Sequence, residues 1–161
     1  MIGDVLGWAA TGLVTSVVTP GLLLGTGRHV QWDRFALPAG VALPAFVLLH
    51  AGITFLLTRH PPPAVWLILH VPLLLGALVY WLPVLGTARR LSDPLRVLYL
   101  FLSAPALDLA GVMVVILGDG AGGLAMIVGM LPAGGIAVLV TWQWISHEDD
   151  FVEATVSSWS R

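Results

Sequence analysis

The chain has 161 residues, 58% of them hydrophobic and only 10% charged, with a mean hydropathy of +0.94. A soluble domain carries about 25% charge, so this is a membrane composition and not that of an ordinary soluble domain. A formal net charge of −2, basic residues that are all arginine, and the lack of cysteine exclude a basic nucleic-acid face, a disulfide framework and thiolate or iron–sulfur centres.

In chain order, five apolar runs are long enough as helix to cross a hydrocarbon core of roughly 30 Å. The opening "MIGDVLGWAA" has no basic n-region, so no cleaved signal peptide is expected. The first run is 5–25, with Pro20 inside it, followed by "TGRHVQWDRFA". The second, 37–57, contains Pro44 and His50 and ends at "TRHPPP". The third, 64–85, carries His70 and Pro72 and leads to "GTARRLSDP". The fourth, 95–117, holds Pro105, Asp108 and Met113, and "GDGAG" follows. The fifth, 123–145, holds Met126, Met130 and Pro132, and an acidic stretch, 146–161, reads as a cytoplasmic tail.

This pattern predicts an all-α, polytopic membrane bundle of about five transmembrane helices in one domain, 1–161. The short connections predict that sequential helices are antiparallel neighbours. If the helices alternate, Arg28, Arg34, Arg89, Arg90, Arg96 and Arg161 fall on one side and Arg59 alone on the other. The positive-inside rule makes the first side cytoplasmic, with the N-terminus outside and the C-terminus inside. The expected location is a bacterial inner (plasma) membrane, with lipid and other integral membrane subunits as partners. Trp32, Trp66, Trp81, Trp142, Trp144 and Trp159 read as interfacial anchors. Gly111, Gly118, Gly129, Gly134 and Gly135 read as sites of close helix approach.

The polar residues inside the runs are the candidate site. At 1.5 Å per residue, His50 lies ~10 Å and His70 ~9 Å below the end marked by "TRHPPP", so the hairpin sets them at one depth. His60 falls in the loop above them. Asp108 lies ~14 Å into the fourth helix, and a carboxylate at that depth is a functional-site hypothesis by default. Met113 is ~6 Å in, and Met126 and Met130 share a face at i and i+4. Imidazole and thioether without thiolate suit copper(I), with His50 and His70 as ligands and Met113, Met126 and Met130 as soft support. Asp108 or Asp119 would orient an imidazole through its second nitrogen. A plain interhelical hydrogen bond is the other reading of the histidine pair. Haem is excluded between adjacent helices, which pack only about 8–10 Å apart. No nucleophile–base pair marks an enzyme, and "GDGAGG" lacks the P-loop lysine.

Several stretches carry a family resemblance. "TPGLLLG" at 19–25, His50 late in one run and His70 early in the next, "YWLPVLG" at 80–86, "LSDPLRVLYLFLSAP" at 91–105, and Asp119 with Gly122 and Gly123 all contribute. Together they resemble the CtaG-type (caa3-type) cytochrome c oxidase assembly proteins over about four fifths of the chain. The resemblance implies an assembly factor that handles copper(I) on the outer face of the membrane. It also implies a longer, seven-helix pattern, of which this chain matches the last five. The family's histidine-rich segment is replaced here by "GWAATGLVTSVV". That departure motivates a second expectation: a non-catalytic structural subunit of a larger respiratory or photosynthetic complex that has lost metal binding.

Overall fold

A computed structural model describes residues 2–27, 29–86 and 90–159, with side chains for all of these except 2–4, 33 and 147–159. Arg28, Arg89, Arg161 and the side chain of Trp159 therefore lie outside the described residues. Among the described residues the chain is all-α, with five spans long and apolar enough to cross a membrane.

The first span is a composite rod: α1 (Ile2–Leu13), a π-helical turn (Val14–Val18) and α2 (Thr19–Thr26). Pro20 explains the break. It lacks an N–H, and its ring collides with the carbonyl four residues back. A widened turn just before it relieves both problems. The Thr19 N–H donates to the Val14 carbonyl, and the Thr19 hydroxyl donates to the same oxygen at 2.6 Å.

A short 3-10 turn, Trp32–Phe35, leads to α3 (Ala39–Leu57) and α4 (Pro63–Leu85), which begin directly after Pro38 and Pro62. The start of α5 (Asp93–Ile116) puts Asp93 in the first turn and a proline at the helix entrance, where an acid meets the positive end of the dipole and the missing N–H costs nothing. It ends at Gly118, whose φ of 105° only glycine adopts freely. There the Gly118 N–H donates to Val115 and the Asp119 N–H to Val114, closing the last turn by the paired bonds typical of a glycine C-cap.

The last helix, α6 (Gly120–Trp159), differs most from expectation. It starts three residues early because Asp119 caps it: Oδ1 accepts the Gly122 N–H at 2.8 Å. It then runs through Trp159, so 146–159, expected as a tail beyond a helix ending at 145, continues that helix. No glycine or proline follows Gly135 to stop it.

The helices close into a ring. The rod packs on α6, α6 on α5, α5 on α3, α3 on α4, and α4 returns to the rod through α2 and the π turn. The expected packing of sequential neighbours holds for α3 with α4 and α5 with α6, but not for the rod with α3 or for α4 with α5. For the rod the reason is steric. Gly12 and Gly129 let the backbones of α1 and α6 touch: a Cβ on Gly12 would stand 2.5 Å from the Met126 carbonyl. First and last spans therefore meet. Gly111 also sits at a close crossing, against α6, whereas Gly118, Gly134 and Gly135 meet nothing within 4 Å and mark no crossing inside the bundle; Gly118 serves the turn instead.

Large apolar side chains such as Leu24, Leu48, Leu67, Ile116 and Leu131 cover the outside, as lipid-facing surfaces require. The interior holds Trp81, Tyr80, Leu73, Leu107 and Met126. Trp81 is thus a core residue and not an interfacial anchor, because its N–H finds the Thr15 carbonyl at 2.8 Å inside the bundle.

Candidate functional site

A polar seam runs down the rod. Thr11, Thr15, Ser16 and Thr19 are all buried. Ser16 donates to the Gly129 carbonyl at 2.6 Å, fastening the rod to α6. The spacing of Thr11, Thr15 and Thr19 at successive fours in an apolar helix was the sequence signal for this face.

His70, on α4, leans on this seam. Its Nδ1 lies 2.8 Å from the Trp66 carbonyl. A carbonyl only accepts, so Nδ1 carries the hydrogen. Nε2 lies 3.0 Å from the Thr11 hydroxyl, and the Trp66 indole stacks on the ring at 3.7 Å between centroids. Both nitrogens therefore have a neighbour in the chain itself, the Thr11 hydrogen being shared between Nε2 and the Gly7 carbonyl, each at 3.0 Å.

His50, on α3, is the opposite case. It is fully buried, and neither ring nitrogen has a partner. Thr54, one turn further on, is equally buried, and its hydroxyl is also unpaired. Counting from Leu57 and Pro63, the two histidines sit at matching depth, each seven residues or ~10 Å from the loop. No hydrogen bond or ring contact joins them among the described residues.

The other expected site residues are dispersed. Asp119 binds neither histidine; its Oδ2 accepts the Trp8 N–H at 2.8 Å while Oδ1 caps α6. Met126 and Met130 are buried in the core, and Met113 is half-buried. Asp108 is half-buried beside a cavity of about 150 Å³ between α4, α5 and α6. It has no hydrogen-bond or ion-pair partner among the described residues. The Tyr80–Ser103 pair lines the same cavity. The Ser103 hydroxyl donates to the Leu100 carbonyl, so the Tyr80 hydroxyl is the donor in their 2.7 Å contact. Arg96, also buried, is engaged by Asp93 at 2.7 Å, far from Asp108 along α5.

As a metal site the donors fit unevenly. His50 offers two free, buried nitrogens, whereas His70 would have to release Thr11 to join it. No group of three histidine or acidic side chains stands together among the described residues.

Two cavities open at the end of the bundle that carries the α3–α4 loop. One, of about 480 Å³, is lined by Trp8, Leu57, His60, Pro61, Pro63 and Trp66, with Gly7. The other, of about 260 Å³, adds Phe55, Arg59 and Asp119, and shares Trp8 and His60 with the first. His60 is exposed and sits at φ 51°, a left-handed backbone that histidine tolerates better than most residues. The chain matches no protein-family model, no curated protein and no solved structure.

Proposed function

We propose that the chain is a non-catalytic subunit of a larger membrane assembly, seated against a neighbouring protein along its α5–α6 side. Asp108 carries this reading. It stands eight residues, or ~12 Å, from the nearer end of α5, where an unpaired acid is expensive. The gap beside it is lined by Ala104, Ala133 and Gly134, small residues of the kind that let another helix approach. The occupant is a partner helix bearing a basic or amide side chain. Among the described residues a second copy offers no lysine or arginine at that depth: the chain has no lysine, and Arg34, Arg59, Arg90 and Arg96 all lie at or near the ends of spans.

Asp108→Leu is expected to cut the partner co-purifying in mild detergent at least about tenfold, the scale of one charge-assisted hydrogen bond. The variant chain itself folds as well as wild type, since a costly group is gone. Wild-type chain that runs alone, or Asp108→Leu that keeps its partner, overturns the proposal.

A second reading, copper(I) handling during oxidase assembly, rests on the two unpaired nitrogens of His50. It expects one equivalent of copper(I) bound in a competition titration with a chromophoric chelator, lost in His50→Ala and retained in His70→Ala. Binding that is indifferent to His50 removes this reading.

A further inference from the structure

The vestibule at the α3–α4 loop end is not used by either reading, and its chemistry is divided. On one side Trp8, Leu57, Pro61, Pro63 and Trp66 give an apolar, aromatic wall. On the other stands Arg59, its guanidinium 5.2 Å above the Phe55 ring. No carboxylate pairs with Arg59 among the described residues. The nearest acid on the lining, Asp119, already has both oxygens bound, one by the Trp8 N–H and one by the Gly122 N–H. Asp119 keeps its charge but both of its oxygens are engaged, so Arg59 is the charged group on the lining with donors left for a ligand.

We infer that the vestibule binds an anionic phospholipid by its headgroup, with the phosphate at Arg59 and His60 and the first part of the acyl chains along Trp8 and Trp66. Three observations converge on this occupant. The larger cavity, about 480 Å³ and adjoined by one of about 260 Å³, matches the size of small-molecule sites. They lie where an apolar span gives way to a loop, the level at which lipid headgroups sit. The split between a cation and aromatic walls matches an amphiphile with a charged head and an apolar body. A bare anion would make no use of the tryptophans, and a neutral apolar ligand none of Arg59. His60 adds a donor at the junction of the cavities, fixed by the three prolines that follow it and by its N–H bond to the Leu57 carbonyl.

The test is native mass spectrometry of the full chain, in the assembly it purifies with, titrated with phosphatidylglycerol and separately with phosphatidylcholine. Wild type is expected to retain phosphatidylglycerol preferentially. Arg59→Gln weakens that retention about tenfold. His60→Gly weakens it less while relieving the strained backbone, so it tests the site in a variant whose folding is not compromised. Arg90→Gln, an exposed arginine at the opposite end, leaves retention unchanged. Equal retention of both lipids, equal loss in Arg59→Gln and Arg90→Gln, saturation of the site by inorganic phosphate alone, or a bound peptide in place of lipid each overturns the inference. Because these readouts do not involve Asp108, the outcome is separate from that of the subunit proposal.

Discussion

Trp81→Ala is expected to cost the folded bundle about 3 kcal/mol, read as a lower midpoint in a detergent unfolding titration. Trp81 is among the largest fully buried side chains, and its removal leaves a cavity at the meeting of the rod and α4. Tryptophan-to-alanine changes in soluble cores cost about 3–5 kcal/mol. Part of that is transfer from water, which an unfolded helix in lipid does not supply, so the lower figure applies. The lost bond to the Thr15 carbonyl contributes about 1 kcal/mol of it. Trp81→Phe separates the terms: it keeps most of the volume and loses the bond, so it should cost roughly a third as much. Equal losses in the two variants would show that the hydrogen bond, and not the packing, matters.

Gly129→Leu is expected to destabilise by a similar amount, about 3 kcal/mol, from overpacking and one lost hydrogen bond. A Cβ at 129 would lie 2.7 Å from the Ala9 carbonyl and 3.3 Å from the Gly12 Cα. Both are backbone atoms, so no side chain can swing away. The crossing would have to open, and the 2.6 Å bond from Ser16 to the Gly129 carbonyl would go with it. Gly135→Leu, six residues along the same helix and outside the gap beside Asp108, is the control. A Cβ there meets nothing, and its stability should stay within about 0.5 kcal/mol of wild type. A Gly129→Leu protein that unfolds like the control would mean the first and last spans do not meet there.

The spans were legible because each is a run of apolar residues closed by a local signal. Gly118 and Asp119 end one helix and begin the next through bonds that reach only a few residues. The ring order was not legible. It depends on Gly12 meeting Gly129, a long-range contact that leaves no periodic mark. Trp81 misled for a related reason. A tryptophan near a run end resembles an interfacial anchor until the carbonyl that takes its N–H is known. The equal depth of His50 and His70 could be counted from the hairpin, but their opposite fates could not. His70 is completed by Thr11, 59 residues earlier, and His50 by nothing among the described residues. Asp108 was conspicuous in sequence, and only the fold added that its gap is walled by small residues.

The π turn of the first rod sets how its two halves are clocked against each other. An α-helix advances about 100° per residue, so one residue accommodated in a wider turn rotates everything beyond it. Above the turn, Gly12 lies against Gly129 of α6; below it, Leu23 is the side chain turned inward, with Leu22 and Leu24 outward. The five residues Val14–Val18 therefore act as a phase adjuster between a half that addresses α6 and a half that addresses α4. Each half can be tuned to its own neighbour, with the offset between them absorbed where Pro20 had already made a regular helix costly.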